Sequence, residues 1–231
     1  MKKYEIFLLD ADDTLFDFSA CCKNALKRAT VACGFSYREE YHKLYLAIND
    51  EMWRKLERKE ITHEELFRTR FKAFLAAVGE SDEKGDELNR EYVAALTEEC
   101  VPFPGAETFL KELLKRGKIY IVTNGTASVQ RGRFKKFELE KYVSGVFISE
   151  DVGAYKPSID YFSYVAAHIP AFDKQKSVLI GDSLTSDIAM ACAADVDCVW
   201  LNFANRKNTG KNRPTYIAAS YEEVLKTIDE M

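Results

Sequence analysis

The chain has 231 residues, 47% hydrophobic and 30% charged, an ordinary composition for a globular protein with a sizeable core. Eleven glycines and five prolines are too few for a collagen-like or linker protein. With 33 basic against 37 acidic residues the net charge is -4, which argues against nucleic acid as a partner.

The length fits one large domain or a domain carrying a smaller insertion. The first apolar run, Ile6–Leu9, stops at Asp10. It is too short for a signal peptide or a membrane span and predicts a strand. Asp10-Ala11-Asp12-Asp13-Thr14 follows. Alternation along an extended chain puts Asp10 and Asp12 on one side. Two carboxylates so placed repel unless a cation or a division of labour relieves them. An Asp cluster is also an everyday loop or helix cap, so the pentapeptide alone decides nothing.

Residues 17–99 predict four helices and no strand. Ser19 is expected to cap the first, with Cys22, Leu26, Ala29 and Cys33 on its inner side and Gly34 ending it. Ser36 with Glu39 and Thr62 with Glu65 both match the capping box. The helix after Thr62 carries Leu66, Phe67, Phe71, Phe74, Leu75 and Val78 on one side and ends at Gly79. A fourth runs from about Glu83 to Glu98. Pro102-Phe103-Pro104-Gly105 reads as a hinge where a sheet resumes. The expected division is a core of 1–16 and 100–231, with a helical domain of 17–99 inserted after the first strand.

Further along, Lys118–Thr123, Val146–Ile148, Val178–Ile180 and Cys198–Leu201 are apolar runs separated by helical stretches such as Glu107–Arg116. This pattern predicts an α/β fold built on a doubly wound parallel sheet. Ligands bind such sheets at the carboxyl edge, and polar residues recur there. Thr123-Asn124-Gly125 offers a hydroxyl and backbone N–H groups near a helix start, an anion cradle. In Gly153-Ala154-Tyr155-Lys156-Pro157, Lys156 supplies a compact positive charge. Gly181-Asp182-Ser183-Leu184-Thr185-Ser186-Asp187 adds two acids at the same edge. Oxygen-only donors suit a hard cation, Mg²⁺ when phosphate completes the shell. Each short motif recurs in ordinary turns; the weight lies in their order, each after a predicted strand.

The set resembles the haloacid dehalogenase superfamily of phosphohydrolases, over essentially the whole chain. More narrowly it is similar to the pyrimidine 5′-nucleotidase branch in Asp-Ala-Asp-Asp-Thr-Leu-Phe, Thr-Asn-Gly and Ser-Glu-Asp-Val-Gly-Ala-Tyr-Lys-Pro. Asp13 stands where most relatives have Gly, which raises the question of how the backbone turns there. The resemblance implies a Rossmann-like core with an inserted helical cap and a phosphomonoester substrate, foremost a nucleoside monophosphate. It implies that Asp10 is the nucleophile that becomes an aspartyl-phosphate and that Asp12 is the general acid and base. It places Mg²⁺ on Asp10, the Asp12 backbone carbonyl, Asp182 and Asp187, and the phosphoryl oxygens on Thr123, the Asn124 backbone and Lys156.

Other readings weigh less. A dehalogenase of this fold lacks the second motif acid, whereas Asp12 is present. Gly181-Asp182-Ser183-Leu184 spells a serine-esterase tetrapeptide, but no His follows Ser183. A signalling receiver would carry its phosphorylated Asp on a later strand and no helical insert. A non-catalytic phosphate-binding protein and a sugar-phosphate phosphatase or phosphomutase remain as alternatives. Six cysteines form no C-x-x-C pair, so reduced thiols and a cytoplasmic location are expected. No G-x-x-x-x-G-K-[ST], G-x-G-x-x-G or H-E-x-x-H occurs. Phe16, Phe18, Tyr45, Trp53 and Phe71 are aromatics able to stack on a base, most of them expected in the helical core. Oligomeric state leaves no mark in the sequence.

Overall fold

The computed structural model describes residues 4–230. The chain forms two compact units. One runs through Asp17, returns at Pro102–Gln130 and continues from Phe134; the other comprises Phe18–Val101 with Arg131–Arg133.

In chain order, strand β1 (Ile6–Leu9) precedes the four helices of the second unit: α1 (Phe18–Ala32), α2 (Glu39–Glu57), α3 (His63–Ala77) and α4 (Gly85–Thr97). Two of the expected caps are not used. Ser19 lies inside the first turn of α1, where its hydroxyl faces His42 Nε2 at 3.4 Å. α2 starts three residues after Ser36, with Arg38 at its N-cap and no side-chain cap bond. The Thr62–Glu65 capping box of α3 is formed in both directions. A short 3₁₀ turn, Asp82–Lys84, leads into α4. The interior of this unit is aromatic. Tyr45 stacks on Phe71 at 4.7 Å, Tyr92 lies 5.0 and 5.1 Å from those two rings, and Phe74 meets Tyr45 edge-on at 5.8 Å. Arg70 is buried among them, its guanidinium 4.5 Å from the Phe67 ring and its Nε donating to Asn89 Oδ1 at 2.9 Å. Flat, polarisable ring faces and amide oxygens thus replace water around that charge.

The other unit continues with α5 (Ala106–Leu114), β2 (Lys118–Thr123), α6 (Ala127–Phe137), β3 (Gly145–Ile148), α7 (Ser149–Val152), α8 (Ile159–His168), β4 (Ser177–Gly181), α9 (Asp187–Ala194), β5 (Asp197–Leu201), β6 (Tyr216–Ala218) and α10 (Tyr221–Glu230). The six strands form one parallel sheet in the order β3-β2-β1-β4-β5-β6. β1 and β4 are buried at every residue, as central strands covered on both faces must be. β6 escaped the sequence reading. It is only three residues long, with Ile217 exposed, so its apolar run is too short to tell from a loop or a helix start. Phe16 pairs with Pro102 in an antiparallel bridge, and Phe103 N–H donates to Leu15 O at 2.9 Å. The departing and returning chain therefore run side by side within the sheet unit. Among the described residues no helix is long and apolar enough to cross a membrane.

Candidate active site

The order β2-β1-β4 brings three separate loops together. β1 leads into Asp10, β2 ends in Thr123 and β4 leads into Asp182, and paired registers place these ends close to level with one another. Asp10, Asp182 and Asp187 each offer a carboxylate oxygen within 4.8 Å of the others.

Lys156 reaches this cluster from the loop after α7. It is 1% exposed, and Nζ donates to Asp10 Oδ1 at 2.6 Å, Asp187 Oδ1 at 2.7 Å and the Val122 carbonyl at 2.9 Å. All three ammonium hydrogens are used. Burial alone would lower the Lys156 pKa, but the Asp10 and Asp187 charges outweigh it and hold the ammonium above its ordinary range. Asn124 fixes the backbone from which this side chain springs. Its Nδ2 donates to Lys156 O and its Oδ1 accepts from Lys156 N–H, both at 2.8 Å. The Asn124 side chain is therefore committed to Lys156.

Asp10 is 5% exposed and held from its other side by Thr14, whose hydroxyl donates to Oδ2 at 3.0 Å. The backbone question at Asp13 has a plain answer: it adopts φ 56°, a left-handed conformation that Asp tolerates better than most residues. Asp12 sits beside α6, where Gln130 Nε2 donates to its Oδ2 at 2.6 Å and to the buried Thr123 hydroxyl at 3.1 Å. At the start of α6, Ala127 N–H is taken by the Glu150 carboxylate, so part of that helix terminus is already satisfied.

Gly181 is where Asp187 crosses the chain. A Cβ there would lie 2.4 Å from Asp187 Cγ, so only glycine admits the carboxylate. Asp187 Oδ2 accepts from Ser183 N–H at 3.0 Å. The loop carrying Asp182 is pinned by Trp200 Nε1 to its carbonyl at 2.8 Å and by Arg206, whose Nη2 reaches Asp182 Oδ2 at 3.2 Å.

The charges do not balance. Burial raises the Asp10 carboxyl above its ordinary range; Lys156 opposes this and Asp187 adds to it. Burial likewise pushes Asp182 well up, with Asp187, Asp10 and Asp13 adding to the effect. Three carboxylates meet two cations, Lys156 on Asp10 and Asp187 and the exposed Arg206 on Asp182, and their donor atoms are all oxygens. That donor set fits a small hard divalent cation, whose charge would offset the excess.

All the sequence-predicted site residues lie in the sheet unit, at or just after the ends of β1, β2 and β4, on the Lys156 loop or at the start of α9. Thr14, Gln130, Arg206 and Trp200 were not anticipated as partners of the site. Thr14 belongs to the first motif and was within reach of the reading. Gln130, Arg206 and Trp200 stand outside every motif, and only folding brings them in.

Residues 4–195 match the family model described as haloacid dehalogenase-like hydrolase. The chain belongs to that family. This hydrolase is 33% identical over 228 residues to the pyrimidine 5′-nucleotidase PynA of Streptococcus pneumoniae, covering 98% of this chain and 96% of that protein. It is 29% identical over 222 residues to the pyrimidine 5′-nucleotidase YjjG of Escherichia coli, covering 96% of each. Among solved structures, the magnesium-bound HAD-hydrolase YfnB of Bacillus subtilis superposes with a TM-score of 0.92 at 34% identity, covering 99% of this chain and 100% of that one. That crystal form is described as revealing interdomain movement in YfnB.

Proposed function

We propose that this hydrolase is a Mg²⁺-dependent phosphomonoesterase acting on nucleoside 5′-monophosphates, pyrimidine nucleotides foremost. The observation that carries the reading is the meeting of Asp10, Asp182, Asp187 and Lys156 at one sheet edge, with Asp12 two residues from Asp10. Similarity to two pyrimidine 5′-nucleotidases supports the substrate class.

Asp10 attacks phosphorus, forming an aspartyl-phosphate as the ester P–O bond breaks. Thr14 and Lys156 hold its carboxylate in one orientation. Asp12 gives its proton to the departing alkoxide, then takes one from the water that hydrolyses the aspartyl-phosphate and restores Asp10. The Thr123 hydroxyl and Asn124 N–H bind phosphoryl oxygens, and Lys156 lowers the cost of bringing a dianion to Asp10. Asp10, Asp182 and Asp187, with the Asp12 carbonyl, would hold Mg²⁺, which when bound supplies charge neutralisation at the carboxylates and phosphoryl group.

The helical unit acts as the cap that selects the substrate, hinging near Phe16–Asp17 and near Val101–Pro104. Tyr45 and Phe71 are fully buried in its interior, and Phe16 is buried in the sheet unit. Of the five candidate aromatics, Phe18 and Trp53 keep partial exposure. The test is phosphate release with Mg²⁺ across pyrimidine and purine monophosphates and sugar phosphates. Faster turnover of uridine or thymidine monophosphate than of any sugar phosphate is expected. A preference for sugar phosphates overturns the substrate assignment. Inertness towards every ester with Mg²⁺ binding intact overturns the catalytic reading.

A further inference from the structure

We infer that Gln130 is a positioning residue for proton transfer, orienting the Asp12 carboxylate and the Thr123 hydroxyl with one amide group. The inference rests on the proposed role of Asp12. Gln130 is 1% exposed and projects from the first turns of α6, its backbone N–H bonded to Thr126 O at 3.0 Å. Nε2 has two hydrogens and uses both, one on Asp12 Oδ2 at 2.6 Å and one on Thr123 Oγ1 at 3.1 Å. Its Oε1 is buried with no hydrogen-bond partner among the described residues. A buried amide rarely leaves its oxygen unpaired. With Nε2 towards Asp12, the amide serves the carboxylate in its proton-accepting state, in which it can only accept.

The N–H on Oδ2 fixes the orientation of the Asp12 carboxyl group. With a Thr123 lone pair occupied by Gln130, the threonine hydrogen is left to donate to a phosphoryl oxygen. Gly125 makes room for this arrangement. A Cβ there would stand 2.5 Å from Gln130 Nε2 and 2.9 Å from its Cγ. The glycine of Thr123-Asn124-Gly125 thus serves the passage of a glutamine side chain five residues further on.

The test compares two leaving groups. A nucleoside alkoxide needs a proton to depart; p-nitrophenolate does not. kcat/KM is measured for uridine monophosphate and p-nitrophenyl phosphate with wild type, Asp12→Asn, Gln130→Met and Gly125→Ala. Gln130→Met keeps the volume and removes the N–H groups. It is expected to lower kcat/KM about tenfold or more for the nucleotide but only about threefold for the aryl ester, the smaller loss reflecting Thr123. Gly125→Ala should reproduce the pattern. Unfolding temperature and Mg²⁺ binding should stay near wild type in Gln130→Met, which keeps the variant informative if Gly125→Ala folds poorly. Equal losses on both esters, or none, overturn the inference. Should Asp12→Asn discriminate between the esters while Gln130→Met does not, Gln130 alone is misassigned. Should Asp12→Asn fail to discriminate, the role of Asp12 falls and this inference with it.

Discussion

The helical unit packs Tyr45, Phe71, Phe74 and Tyr92 ring against ring and surrounds Arg70 with ring faces and amide oxygens. The sheet unit, at the ends of β1 and β4, crowds three carboxylates within 4.8 Å of one another, two of them on one buried ammonium. The first arrangement lowers the free energy of folding, because each ring removes a large apolar area from water and meets its neighbours in favourable geometry. The second raises it, because like charges are held together in a partly water-excluded place. Residues that a stable fold would avoid are therefore concentrated in one region, and that concentration separates the machinery from the scaffold.

The sharpest way to break this contrast is Asp10→Asn. The neutral amide is nearly the same shape, and its oxygen can still accept from Lys156. Turnover is expected to fall by about 10⁴-fold or more, since an amide oxygen does not form the acyl-phosphate. The metal-free variant should unfold at a temperature no lower than wild type, because burial, opposed by Lys156 and reinforced by Asp187, on balance disfavours the ionised Asp10 carboxylate. Wild type should gain stability on adding Mg²⁺, about 2.7 kcal/mol at a hundredfold excess over Kd, and the variant much less. Phosphate release and thermal unfolding with and without Mg²⁺ read all three. A variant that loses both turnover and metal-free stability would mean that Asp10 is scaffold as well as machinery.

The same contrast explains what the sequence disclosed. β1, β2, β4 and β5 are buried on both faces, so they read as continuous apolar runs, and the polar residues that follow β1, β2 and β4 stand out against them. Asp10, Thr123 and Asp182 were legible for that reason, Lys156 and Asp187 from the short motifs Gly-Ala-Tyr-Lys-Pro and Gly-Asp-Ser-Leu-Thr-Ser-Asp that contain them. Gln130 was not, because it lies on a helix with no motif of its own and gains its partners through Gly125. Arg206 and Trp200 escaped for a similar reason: they meet Asp182 only through the β5 end and the loop after it. In the helical unit Thr62–Glu65 was legible because a capping box is local, and the face of Phe71 and Phe74 because it is periodic. Ser19 and Ser36 misled. A serine near a helix start caps only if the chain leaves the helix there, and α1 begins one residue earlier while α2 begins three later.

Phe71→Ala probes the scaffold side. Phe71 is fully buried against Tyr45, Tyr92 and Phe74. Truncation should cost about 3–5 kcal/mol, from lost burial and the cavity left in a rigid ring cluster. Chemical denaturation measures this. The stabilisation conferred by Mg²⁺ on the folded fraction should be unchanged, since no metal donor belongs to this unit. A large loss of metal response would join the two regions that the charges and rings otherwise separate.

The smallest expected effect comes from Thr62→Ala at the start of α3. The Thr62 hydroxyl accepts from Glu65 N–H at 3.1 Å, and Glu65 Oε2 accepts from Thr62 N–H at 2.8 Å. Removing the hydroxyl frees one backbone donor at the surface, where water replaces much of what is lost, so the cost should be about 1 kcal/mol. The reciprocal Glu65 bond uses only the backbone of residue 62 and survives the change. Thr62→Gly should cost less than Thr62→Ala, because glycine at an N-cap leaves its peptide group open to water. If denaturation shows neither variant less stable than wild type, the hydroxyl bond is not what begins α3. The capping box would then be a feature of the fold that adds little to the aromatic packing behind it.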